Sequence, residues 1–443
     1  MKTLIKDALL VNEGSERKAS LLLEDDLIAQ IIEEGEACPA DADQVVDAAG
    51  MVLMPGVIDD HVHMRDPGMT HKADMETETR AAAAGGVTSV MDMPNVVPQT
   101  TTIERWEERM AHAATTCRIN YAFYLGATNT NLAEVKRMDT TRIPALKLFM
   151  GSSTGGMLVD RVEILRQIFS ECPTRIMAHC EDTTRINQRM EEARKRHGGE
   201  QDPPIALHPW IRDDEACFQS SALAVSLAKE TGAKLHLAHI TTARELELLG
   251  APSVTAEVCP QHLFFCDKDY ERLGSLIKCN PSIKSESDRE ALRTAARDGR
   301  IQVVGTDHAP HLLSEKEGGA SKAVSGMPLV QFSLPLMLTM SDEGVMPRTR
   351  LVELMCHNPA RLFGIEQRGF IRKGYKADLV LLKRERWKVG KRDVLSKCAW
   401  SPLEQTELQW RVVSTWCNGH CVFDGTKVDD GYRGEALRFT QSR

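Results

Sequence analysis

Between residues 55 and about 365 the chain repeats one alternation eight times: a short apolar run that reads as a strand, then a longer amphipathic stretch that reads as a helix. The runs are GVIDDHVH (56–63), GVTSVMDMP (86–94), INYAFYLGA (119–127), ALKLFMG (145–151), RIMAHC (175–180), KLHLAHI (234–240), SVTAEVC (253–259) and QVVGTDH (302–308). Strands separated by helical stretches pair in parallel, because each crossover carries the chain back to the starting edge. Eight such units predict an α/β chain with a (β/α)8 TIM barrel. An open doubly wound sheet uses the same alternation, but no G-x-G-x-x-G follows a strand to supply its dinucleotide site. The stretch DMETETRAAAAGG (74–86) shows the local logic of one helix, with acidic residues in its first turn and glycine past its end.

The flanks have a different texture. Residues 1–54 read as short strands and turns, and residues 367–443 do too, with GYKADLVLLK and CVFDGTKV. The two ends are therefore expected to pair into one small β-sandwich domain beside a barrel of residues 55–366.

Of the 443 residues, 42% are hydrophobic and 27% charged, the balance of a globular protein. No run approaches the ~18 apolar residues of a membrane span. The first apolar stretch is broken by Lys6 and Asp7, unlike the core of a secretory signal. Twelve cysteines without a C-x-x-C pair fit reduced thiols, so a cytoplasmic location is expected. A net charge of −8 offers no basic face to nucleic acid or anionic membrane, which leaves a small molecule as the expected partner.

In a barrel of this kind chemistry sits at the C-terminal ends of the strands. His61 and His63 end the first run, Asn95 follows the second, Lys147 lies on the fourth, His179 on the fifth, His239 on the sixth and Asp307 on the eighth. Asp59, His61, His63 and Arg65 share one face by the period of a strand. Taken singly, each histidine reads equally as a hydrogen-bonded core residue, and Asp307 as a helix cap. Converging in one barrel mouth, imidazoles and a carboxylate make a site for a divalent transition metal, zinc being the commonest hydrolytic choice. Lys147 has no lone pair as an ammonium. It is either salt-bridged or, once desolvated, a free amine able to add CO2 and become an anionic carbamate.

The motifs MPGVIDDHVH, AAAAGGVTSVMDMPN, LKLFMG, AHCED, HITT, TDHAPH and KADLVLL, in this order, resemble the amidohydrolase superfamily and within it the cyclic amidohydrolases. The resemblance implies two zinc ions, one held by His61, His63 and Asp307, the other by His179 and His239, with N6-carboxylated Lys147 bridging both. His236 and His308 face away by strand parity and are expected to be structural. HVHMRDPG and DMPNVVP are most similar to dihydroorotases, which open L-dihydroorotate to N-carbamoyl-L-aspartate and run in reverse in pyrimidine biosynthesis. On that resemblance Arg65, Asn95 and His311 contact the substrate carboxylate, Asn280 contacts the ring, and Asp307 is the proton-transferring catalytic residue. KCNPSIKS departs from the usual Asn-Pro-Pro-Leu-Arg at Ser282, Ile283 and Lys284. The alternatives are an allantoinase, a hydantoinase or dihydropyrimidinase, and a non-catalytic relative, from which the full ligand set distinguishes this chain. The resemblance also implies a homodimer. The polar, Gly-rich segment 308–326 reads either as a lid or as a plain surface loop.

Overall fold

The computed structural model describes residues 1–151, 156–199 and 202–440. Eight parallel strands close into a barrel: Val57–Val62, Val87–Asp92, Asn120–Phe123 continuing as Leu125–Gly126, Leu146–Phe149, Ile176–His179, Leu235–Leu237, Val254–Val258 and Val303–Val304. Neighbours in this order are hydrogen-bonded, for example Lys147 beside Met177 and His236 beside Thr255. The last turn of the barrel closes through a parallel bridge between Val62 and His308, where the His63 amide donates to the His308 carbonyl at 2.7 Å.

The barrel strands are buried along nearly their whole length, so they read as continuous apolar runs rather than alternating ones. Ile58, Met91, Ala122, Tyr124, Ala145, Met177 and Ala238 come from successive units and pack in one cluster with Phe363, Phe370 and Phe439. This cluster fills the barrel interior, so the barrel is a packed core with one open end.

The helix expected at 74–86 spans Met75–Ala84. Asp74 caps it by accepting from the Thr77 amide, and the Thr77 side chain answers the Asp74 amide as a capping box. Gly86 follows with φ of 84°, and a Cβ there would lie 2.7 Å from the Val380 side chain, so the barrel and the outer sheet meet too closely for any other residue.

That outer sheet runs His420–Phe423, Glu407–Cys417, Leu379–Lys388, Val52–Pro55, Lys2–Asn12, Ser15–Glu24, Leu27–Glu33, with Gln44–Asp47 paired to Lys2–Asn12. Both chain ends thus contribute to the β-sandwich part of a TIM barrel plus β-sandwich fold. The last residues differ from the sequence expectation of a wholly sandwich-bound C-terminal segment. Ala436 bridges Tyr121, Phe439 bridges Ile365, and Leu437 and Phe439 are buried against the barrel. Both side chains join the apolar cluster of Ile58, Tyr124 and Phe363. Among the described residues no helix is long and apolar enough to cross a membrane.

Candidate metal centre

The six expected ligand residues, His61, His63, Lys147, His179, His239 and Asp307, line one cavity of about 380 Å³ at the C-terminal mouth of the barrel. Lys147 and His179 lie within their strands, whereas His63, His239 and Asp307 lie just past strand ends. Arg65, His239 and Asp307 have φ of 64°, 34° and 48°, in the left-handed region that side chains rarely adopt. Such backbone costs about 1–3 kcal/mol per residue. Its concentration at this mouth marks where the chain leaves the sheet to aim side chains inward.

Hydrogen bonds fix the tautomers of the first pair of histidines. His61 Nδ1 lies 2.9 Å from Glu257 Oε1, and His63 Nδ1 lies 2.9 Å from Asn95 Oδ1. Both partners are acceptors, so each Nδ1 carries the proton and each Nε2 presents a lone pair. The two Nε2 atoms converge on Asp307 Oδ1, at 3.4 Å from His61 and 2.9 Å from His63. Two lone pairs facing an anionic oxygen repel one another unless a cation sits among them. The donor set of two imidazoles and one carboxylate is that of a divalent transition metal.

Electrostatics agree with the geometry. Burial, with Lys147 nearby, pushes the His61 imidazole well below its ordinary pKa, and burial does the same for His63 and His239. They stay neutral, the form that ligates metal.

On the other side of the mouth His179 Nδ1 lies 2.9 Å from His239 Nε2, with ring centroids 4.7 Å apart. His179 Nε2 lies 3.0 Å from Glu181 Oε2, so the proton sits on Nε2 and the Nδ1 lone pair faces His239. Lys147 is fully buried, and its Nζ has no hydrogen-bond partner. Burial lowers its pKa, which favours the free amine that carbamate formation needs. The orphaned Nζ shares the cavity lining with His61, His63, His179 and His239.

Arg65, Asn95, Asn280 and His311 line the same cavity. Arg65 donates through Nε to the Pro310 carbonyl at 3.1 Å, and its Nη2 lies 3.0 Å from His311 Nε2. Lys72 Nζ lies 3.1 Å from His311 Nδ1 and 2.5 Å from Glu315. Burial, then Arg65 and Lys72, keep His311 neutral. Asn280 Oδ1 accepts from Ser325 Oγ at 3.0 Å. Within the segment 308–326 Lys316 Nζ donates to the carbonyls of Val324 and Gly326, both at 2.7 Å, and it reaches outside the segment to the Lys278 carbonyl at 3.1 Å.

Several residues of this mouth were not singled out by the sequence. Glu257 orients His61, Glu181 orients His179, Arg212 pairs with Glu181 at 2.5 Å, and Lys72 backs His311. Only Glu181 left a local signal, as the third residue of His-x-Glu. Asp59, expected to share the histidine face, instead accepts from the Thr306 hydroxyl at 2.6 Å and the Thr306 amide at 3.0 Å and braces the eighth strand. His308 is committed to Glu78 and to the Leu329 amide, away from the mouth. His236 bonds Thr255 inside the barrel at 2.8 Å.

The pattern of the amidohydrolase family matches residues 52–422. A dihydroorotase of Halobacterium salinarum is 34% identical over 419 residues, covering 92% of this chain and 96% of that protein. An L-hydantoinase of Paenarthrobacter aurescens is 30% identical over 442 residues, covering 96% and 95%. Among solved structures, the L-hydantoinase (dihydropyrimidinase) from Arthrobacter aurescens superimposes with a TM-score of 0.92 at 29% identity, covering 98% of this chain and 99% of that one. On the family match and these identities, the chain is an enzyme of the amidohydrolase family.

Proposed function

We propose that this chain is a zinc-dependent dihydroorotase, which opens the ring amide of L-dihydroorotate to N-carbamoyl-L-aspartate and closes it in the reverse direction. The observation that carries the reading is the Arg65–His311 contact, with Asn95 close by through His63, in the same cavity as the metal-type residues. A hydrolase of a neutral ring has no use for a buried guanidinium there, whereas a ring bearing a carboxylate does.

His61, His63 and Asp307 would hold one cation, and His179 and His239 a second, with Lys147 as its carbamate between them. Cations so bound supply Lewis-acid polarisation of the amide carbonyl and water acidified toward pH 7. Arg65 presents its planar fork to the substrate carboxylate, and neutral His311 and the Asn95 amide complete that contact. Orientation by this clamp sets the ring carbonyl over the metal residues.

Asp307 Oδ1 takes the proton of the attacking water as its oxygen bonds to the carbonyl carbon. The carbon–nitrogen bond then breaks, and Asp307 delivers the proton to the departing ring nitrogen. In ring closure the same proton moves the opposite way.

A second reading, hydrolysis of a hydantoin ring, is favoured by the 0.92 TM-score to the L-hydantoinase. One experiment separates the two: metal content measured together with ring opening of L-dihydroorotate and of hydantoin. About two zinc ions with turnover of dihydroorotate supports the first reading. Bound metal with turnover of hydantoin alone replaces it with the second.

A further inference from the structure

Glu181 is completely buried, and its carboxylate is shared between a histidine of the mouth and an arginine. The arginine is Arg212, which follows the short helix His208–Ile211 and also lines the cavity. Its backbone carbonyl accepts from Ser282 Oγ at 3.0 Å. Ser282 in turn accepts from Lys284 Nζ, at 2.8 Å on its hydroxyl and 3.3 Å on its carbonyl. These are two of the residues at which KCNPSIKS departs from the pattern it resembles.

The need for such a chain of contacts follows from the histidine pair. His179 Nδ1 and His239 Nε2 are 2.9 Å apart, close enough to hydrogen-bond each other if either carries a proton there. That bond would consume both lone pairs and leave nothing to hold a cation. A carboxylate at Nε2 of His179 keeps the proton on that nitrogen and the lone pair on Nδ1. The guanidinium of Arg212 orients the carboxylate through a charge-assisted contact.

We propose that Glu181, oriented by Arg212 and through it by Ser282 and Lys284, is a positioning residue that holds His179 in the tautomer able to bind the second cation. The proposal rests on the two-cation reading above. Ser282 and Lys284, standing where Pro and Arg are common in the pattern, then tether the Arg212 backbone from below.

The test is titration of the metal-free protein with cobalt(II), followed by visible absorption and by metal content after dialysis, for wild type, Glu181→Gln, Arg212→Met and Arg212→Lys. Wild type is expected to take two equivalents. Glu181→Gln and Arg212→Met should bind the first as wild type does and the second about 10–100-fold more weakly. Arg212→Lys, which keeps the cation, should recover part of that loss. The absorption bands of the second equivalent should change shape in the variants.

Wild-type affinity for the second equivalent in Glu181→Gln and Arg212→Met overturns the proposal while leaving the two-cation reading in place. Equal weakening of both equivalents, or metal-free variants that melt far below wild type, overturns it too by making the pair a general brace. Fewer than two equivalents in wild type itself is the separate failure of the underlying reading.

Discussion

His63 and Asp307 face each other across 2.9 Å, although they are far apart in sequence and leave different strands. The Nδ1 of His63 is committed to Asn95, so this contact joins a lone pair to a carboxylate. It is an arrangement with a place for a cation and a place for a mobile proton.

Asp307→Asn keeps the shape of the side chain and removes the proton acceptor. Ring-opening activity is expected to fall about 10²–10⁴-fold. Steady-state assays beside metal analysis check this, and activity within about threefold of wild type would remove Asp307 from the proton-transfer role.

Arg65→Lys keeps the charge and loses the two-donor fork. With dihydroorotate, kcat/KM should drop by about one to two orders of magnitude, as for loss of a charge-assisted contact of ~1.5–3 kcal/mol. Metal content should be unchanged. Loss of metal in this variant would show that Arg65 supports the ligand residues instead.

Lys147→Met fills the space of a fully buried side chain without an amine. The variant is expected to fold, to lose at least one equivalent of metal and to lose activity. Full metal content and activity would show that neither metal binding nor turnover needs a carbamate at this position.

His262 is fully buried, its Nε2 lies 3.2 Å from the Pro281 carbonyl, and burial pushes its pKa from 6.5 down to about 4. A folded-state pKa below the unfolded one gives stability that is complete above pH 6.5 and is lost as pH falls toward 4. The contribution is about 3 kcal/mol. In urea unfolding, the stability gap between wild type and His262→Gln should therefore narrow as pH falls from about 7.5 to about 5. A gap that widens on acidification would contradict it.

Asp74 caps the helix Met75–Ala84 and also pairs with Lys397 at 2.7 Å. Asp74→Ala should cost ~1 kcal/mol of stability by loss of the cap, read as a lower denaturant midpoint with unchanged metal content. An unchanged midpoint would mean that the helix start is held by packing alone.

The alternation of short apolar runs and helical stretches specified a barrel because both periodicities are local properties of a few neighbouring residues. The same locality exposed His61, His63, Lys147, His179, His239 and Asp307, each a ligand-type residue at or near the end of an apolar run. The acidic first turn and the closing glycine of the helix in 74–86 were legible for the same reason. Tertiary structure decided what those residues touch. That Glu257 fixes the proton on one side of His61, that Glu181 and Arg212 hold His179, and that Lys72 stands behind His311 depends on pairs brought together from different strands and loops. No spacing rule connects such pairs. Strand parity placed Asp59 beside the histidines, but the register of this strand shifts between Asp59 and Val62, and the Asp59 carboxylate went to Thr306. Only the closed barrel could leave the Lys147 amine buried without a partner, since burial is a property of everything packed around it. The burial of the tail at Leu437 and Phe439 against the barrel is likewise a product of the closed fold, since it rests on contacts with residues distant in sequence.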